Sequence, residues 1–216
     1  MKKAGNMNKQ RFIWISPVLV VGIGTIVIRI AEGFVGVWAW LPWILIYWGI
    51  IGGLVIWGGG GESIQRWMKP AEGNWLWSAL AVLLGLAGLT MFISSWQLIT
   101  PLHIFIPWLI LGLVNPFLEE WYWRGLMLDH TQGWNDWIRV FYISALFSAN
   151  HLFGIGVTSI GARNPIFLVN TFVLGVLFSV IYLKTKSLRW LVLGHALADL
   201  LGLSVPVFLN LWVPPG

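Results

Sequence analysis

Seven apolar runs fill most of this chain, at about 12–28, 35–57, 75–95, 102–128, 137–153, 166–183 and 190–212. A helix needs about 20 predominantly apolar residues to cross a hydrocarbon layer of ~30 Å, and most of these runs are near that length. No strand-like alternation of the outer-membrane barrel kind accompanies them. Charged residues make up 10% of the sequence and hydrophobic ones 58%, whereas a soluble domain carries about 25% charged residues. The expectation is an all-α, polytopic transmembrane helical bundle of about seven to eight spans. The count depends on the last run, which Gly202 and Pro206 interrupt and which reads as one helix, a broken helix or two short pieces.

Basic residues follow the connections between runs. Residues 1–11 carry Lys2, Lys3, Lys9 and Arg11 and lead into the first run, which is long and has no small-residue cleavage site after it, so it reads as a retained span rather than a removed signal. With the N-terminus in the cytoplasm, the connections at 58–74, 129–136 and 184–189 lie on the same side. They and their flanks hold Arg66, Lys69, Arg139, Lys184, Lys186 and Arg189, against Arg29 and Arg163 on the other side. That asymmetry predicts a multi-pass protein of the cell membrane with a cytoplasmic N-terminus. The net charge of +5 is therefore a topology signal. The partners it implies are membrane lipid and no nucleic acid. The 17 Trp and 4 Tyr suit interfacial belts, and the absence of cysteine removes disulfides and thiolate metal sites. Residues 1–100 read as three N-terminal spans without a chemical motif, and residues 101–216 as the part that holds the chemistry.

That part is marked by Asn115-Pro116-Phe117-Leu118-Glu119-Glu120-Trp121-Tyr122-Trp123-Arg124-Gly125. An ionisable side chain at membrane depth costs about 2.5–3.5 kcal/mol on insertion scales, and here three fall within six residues. Glu120 and Arg124, four apart, share a helix face and can pair. Glu119 is turned about 100° from Glu120 and points elsewhere. The plain alternative is a set of helix-end charges at the interface. His151 weighs against it. Counted from a turn centred near Asn135, Glu119 and His151 each lie sixteen residues away, roughly 24 Å along antiparallel helices, so carboxylate and imidazole reach one depth. His195 and Asp199 share a face of the last run, but only about 12 Å past the 184–189 turn. Their level agrees with the others only if the 129–136 turn projects further out.

This set suits a hydrolase. Glu119 can act as general base on a water that His151 orients, with His195 and Asp199 stabilising an oxyanion and the aspartate aiming the imidazole. A second possibility is Zn²⁺ held by Glu119, His151 and His195, lowering the pKa of its water. The sequence leaves both open. No His-Glu-x-x-His or Gly-x-Ser-x-Gly motif is present.

Glu119-Glu120-x-x-x-Arg124, Phe147-x-x-x-His151 and His195-x-x-x-Asp199, in that order on successive spans, resemble the CAAX protease and bacteriocin-processing (CPBP, or Abi) family of intramembrane endopeptidases, over about residues 101–202. The resemblance implies cleavage of membrane-associated or lipophilic peptides or of membrane proteins. It assigns Glu119 and His151 to water activation and His195 and Asp199 to the oxyanion site, with Glu120, Arg124 and Phe147 in support. It implies either a metalloprotease or a metal-free, glutamate-dependent enzyme. Aspartate rather than asparagine at 199 resembles the prokaryotic branch, linked to bacteriocin maturation and self-immunity. The alternatives are a non-catalytic scaffold or immunity protein of the same fold and an ion-coupled transporter. A transporter is expected to show internal repeats, and none is seen.

Overall fold

The computed structural model describes residues 2–213, with side chains from Asn8 onward. The described residues are helical throughout, joined by short turns. The first long stretch folds back on itself as α1 (Lys2–Val35) and α2 (Trp40–Gly58), with the reversal at residues 36–39, where Gly36 takes φ +56°. A short helix, α3 (Gly60–Trp67), follows within the 58–74 connection. The third run is not continuous: α4 (Trp75–Gly85) and α5 (Leu89–Ser95) are joined and followed by single 3₁₀ turns. Then come α6 (Leu102–Glu119), a π-helical segment (Glu120–Leu126), α7 (Met127–His130), α8 (Asp136–Phe153), α9 (Pro165–Thr185), α10 (Arg189–Leu201) and α11 (Ser204–Phe208).

Among the described residues five stretches are long and apolar enough to cross a membrane: Asn8–Gly58, which contains the α1–α2 hairpin, then Trp75–Ile99, Leu102–His130, Asp136–Val157 and Pro165–Thr185. The protein is a helical membrane bundle. The final run is the broken helix among the three options. The thirteen residues of α10 reach about 20 Å, short of a full crossing. Leu203 then enters the left-handed region at φ +48°, which turns the chain into the five-residue α11.

The helices are sorted by what faces lipid. On α6, Leu102, Ile106, Leu109, Leu113 and Phe117 form an exposed apolar stripe, while Ile104, Trp108, Leu111, Asn115 and Glu119 are buried. The buried set repeats every three to four residues, so one helix face, polar towards its inner end, turns towards the protein.

The close packing of α10 against α4 positions the site. Small residues let helices approach within a membrane, where apolar burial alone gives little drive to associate. Here Ala81 and Gly85 of α4 meet Gly194 of α10. A Cβ on Gly85 would lie 2.1 Å from the Gly194 carbonyl oxygen, and one on Gly194 would lie 2.2 Å from that of Ala81. Since the obstacles are backbone atoms, neither can move aside. Gly194→Val should therefore lose about 1–3 kcal/mol through overpacking, read as a lower unfolding midpoint in detergent by circular dichroism. Gly53→Ala, where nothing lies within 4 Å, should leave the midpoint unchanged.

Candidate active site

The motif on the fourth run begins in α-helix and continues as π-helix. Glu119 closes α6, and Glu120 through Leu126 form seven residues of wider winding. Such segments are rare and recur at functional sites. Both carboxylates and the guanidinium remain inside the protein: Glu119 is 3% exposed, Glu120 0% and Arg124 1%.

The pairing of Glu120 with Arg124 is direct, with Oε1 3.0 Å from Arg124 Nη1. The same oxygen lies 2.8 Å from His195 Nδ1. On the other side of that ring, His195 Nε2 lies 3.4 Å from Glu119 Oε2 and 3.8 Å from Asp199 Oδ1. The imidazole is thus held between carboxylates. With a proton on each nitrogen it can donate in both directions at once. Glu120, rather than Asp199, makes the short contact that aims the ring. Asp199 is tied instead to Asn115, whose Nδ2 donates to Asp199 Oδ2 at 3.2 Å and to Glu119 Oε2 at 3.2 Å. Ser204 Oγ donates to the Asp199 carbonyl oxygen at 2.9 Å, which fixes the start of α11 against the end of α10.

Glu119 has a second partner. The Tyr47 hydroxyl, from α2, donates to Oε1 at 2.6 Å and accepts from Trp123 Nε1 at 2.9 Å. Trp48 Nε1 donates to Asn115 Oδ1 at 2.9 Å. The site therefore draws on residues 1–100, and neither Tyr47 nor Trp48 was singled out from sequence. Asn115 carried a usable signal: an amide in an apolar run, one turn before Glu119, on the same face.

His151 stands on α8, its Nδ1 2.9 Å from the Phe147 carbonyl oxygen, which leaves Nε2 for another partner. Its ring lies edge-on to Phe147, with centroids 4.8 Å apart. Phe147 also carries the Arg124 guanidinium over its face, 4.3 Å from the ring centre, a cation–π contact strengthened by burial. Phe147, His151, His195, Asp199 and Ser204 line one cavity of about 130 Å³. A cleft of about 440 Å³ between α4 and α9 shares Phe167, Thr171, Leu174, Ala198 and Gly202 with it.

The level of His195 follows from where the helices end. The helix bearing Glu119 stops at His130, so Glu119 lies eleven residues from its tip, roughly 16 Å rather than 24 Å. The turn up to Asn135 adds little along the axis. Asp129 near that tip accepts from Tyr182 near the end of α9 at 2.8 Å, which sets the two turns at similar heights.

Residues 101–201 match the family model Rce1-like, described as Type II CAAX prenyl endopeptidase Rce1-like. This segment is similar to that family. It covers slightly less than half of the chain and contains Glu119, Glu120, Arg124, Phe147, His151, His195 and Asp199. No curated protein and no solved structure matches the chain. The CAAX protease-like family is a protease family. As to metal, His195 engages carboxylates at both nitrogens, and among the described residues no three His, Cys, Asp or Glu side chains are grouped to hold an ion. Glu119, His151 and His195 do not form a ligand set in this arrangement.

The Arg124–Glu120 pair is buried, with side chains 1% and 0% exposed. Breaking a buried pair from one side costs about 3–5 kcal/mol. Arg124→Gln should destabilise the protein by that order in denaturant titration. Adding Glu120→Gln to it should cost less than the sum of the single changes, because the pair couples directly.

Proposed function

We propose that the protein is an intramembrane endopeptidase that hydrolyses peptide bonds of membrane-associated or lipophilic peptides by a metal-independent, glutamate-dependent route. The observation that supports this most is the convergence on one small cavity of His151, His195 and Asp199, with Glu119 behind them, its Oε2 3.4 Å from His195 Nε2, in a chain whose residues 101–201 match a protease family. A cavity of about 130 Å³ has room for a few waters at about 30 Å³ each.

In this reading Glu119 takes a proton from a water that His151 Nε2 orients, and the water oxygen bonds to the scissile carbonyl carbon. Negative charge then moves to the carbonyl oxygen. His195, aimed by Glu120 and flanked by Asp199, is the donor for that oxyanion. Collapse breaks the C–N bond, and the proton held by Glu119 passes to the leaving nitrogen, giving a carboxylic acid and an amine. Tyr47 and Asn115 position Glu119 through one hydrogen bond to each oxygen. The basic connections at 58–74 and 184–189 support a cytoplasmic N-terminus and placement in the cell membrane.

The test is cleavage of a membrane-peptide library by purified protein in detergent, read by mass spectrometry. Glu119→Gln should lower cleavage by about 10²–10⁴-fold, the range of a lost general base, in protein that remains folded by circular dichroism. Tyr47→Phe, which keeps the ring and removes the hydroxyl, should give a smaller loss. Chelator should have no effect. Full activity in Glu119→Gln would overturn the proposal, and loss with chelator that Zn²⁺ restores would replace the glutamate route with a metal one.

A further inference from the structure

The loops that precede α4 and α10 are joined by a series of hydrogen bonds. Leu188 N–H donates to the Trp67 carbonyl at 2.8 Å, Ser187 Oγ to that of Lys69 at 2.6 Å, and Glu72 N–H to that of Thr185 at 2.8 Å. Arg189 Nε donates to the Met68 carbonyl. These bonds fix the N-termini of α4 and α10 side by side at one end of the bundle. Between them opens a cleft of about 730 Å³, the first turns of both helices forming its rim.

Three properties of this cleft converge. The rim is electropositive: both helices direct the positive ends of their dipoles to it, and the exposed Arg189 has no carboxylate partner among the described residues. Glu72 is also on the rim, exposed, and Lys69 and Lys186, in the loops that these hydrogen bonds join, add positive charge outside the lining. Two tryptophans stand at the opening, Trp75 at 71% exposure and Trp190 at 44%, as side chains of the headgroup region do. The inner wall is apolar, formed by Ala79, Val82 and Leu193, and it follows α4 in the direction of its membrane crossing. A cationic rim above an apolar wall at the start of a span is complementary to one class of molecule.

We propose that this cleft binds a phospholipid with an anionic headgroup. Arg189 takes the phosphate, Trp75 and Trp190 flank the glycerol region, and an acyl chain lies against Val82 and Leu193. Basic pockets between membrane helices recognise anionic headgroups by this combination of charge and level. The site is separate from the cavity that holds His151 and His195, so it stands whether or not the peptidase reading does.

The experiment is native mass spectrometry of the full chain in detergent after delipidation, titrated with phosphatidylglycerol, with phosphatidylcholine of the same acyl chains, and with soluble glycerol 3-phosphate. Phosphatidylglycerol should bind at least tenfold more tightly than phosphatidylcholine, and glycerol 3-phosphate much more weakly than either. Arg189→Gln should bring phosphatidylglycerol to the phosphatidylcholine level, while Arg163→Gln, in the 154–165 connection, should change nothing. Because Arg189 also holds Met68, Val82→Trp provides an independent check. It leaves the arginine in place, fills the apolar wall, and should weaken phosphatidylglycerol tenfold at an unchanged melting temperature in lipid-free detergent. Equal binding of the two phospholipids, or undiminished phosphatidylglycerol binding in either variant, would overturn the proposal. Glycerol 3-phosphate binding as tightly as the lipid would also overturn it, making the cleft a site for a soluble phosphate.

Discussion

One carboxylate oxygen, Glu120 Oε1, receives both the Arg124 guanidinium at 3.0 Å and the His195 ring at 2.8 Å. Desolvating any one of these groups alone is unfavourable. Together they neutralise one another, and Phe147 offers its ring face to the remaining surface of the arginine. The consequence is structural as well as chemical. The π-helical segment, α8 and α10 contribute Glu120 and Arg124, Phe147, and His195 in turn, so the charge chain ties three helices that lipid would not otherwise hold together. The carboxylate next to it, Glu119, is left to other partners, Tyr47 and Asn115.

Backbone shape makes the division possible. Pro116 removes one helical hydrogen bond from α6, and the helix widens into π geometry four residues later, at Glu120. Glu119 can then meet α2 through Tyr47 while Glu120 meets α10 through His195. The short α10 ends where α11 turns back, and Ser204 holds Asp199 by its backbone carbonyl. A helix long enough to cross the membrane would need apolar residues where α10 carries a histidine and an aspartate on one face. Ending it early lets that face stay within the protein.

What the sequence made legible is the set of residues whose presence in an apolar run is expensive. Glu119, Glu120, Arg124, His151, His195 and Asp199 all stand out on that ground, and i,i+4 spacing correctly pairs Glu120 with Arg124. The partners that are ordinary in a membrane helix do not stand out. Tyr47 looks like one of many aromatic residues, and its role depends on α2 crossing near α6, a tertiary fact no spacing encodes. Depth is legible only in part for a related reason: helical residues advance along the axis and turn residues hardly do, and where a helix ends is not marked in the sequence. The broken third and seventh runs were harder still. At those breaks Gly88 lies against the Leu201–Gly202 backbone, where an added Cβ would come within 2.7 Å, and small residues in an apolar run show only that a close approach is possible, without saying to what.

The dimensions of the buried cavity bear on what conformation a peptide must adopt to reach His151 and His195. An α-helix about 10 Å across rises 5.4 Å per turn, so a single turn occupies roughly 420 Å³ by those dimensions. The cavity beside His151 holds about 130 Å³, whereas the adjoining cleft between α4 and α9 holds about 440 Å³. A helical segment is therefore comparable in size to the cleft and too large for the cavity. On the peptidase reading, a substrate would leave its helical form between the two, presenting an extended stretch to the imidazoles. Unwinding exposes the scissile carbonyl, which in a helix is occupied by the N–H four residues on. It also frees amides that need new acceptors in a dry setting, and Asn170 and Thr171 on the cleft wall are polar side chains placed along that path. Helix stability near the scissile bond then becomes a determinant of selectivity alongside side-chain identity. Glycine or proline there lowers the cost of opening the helix.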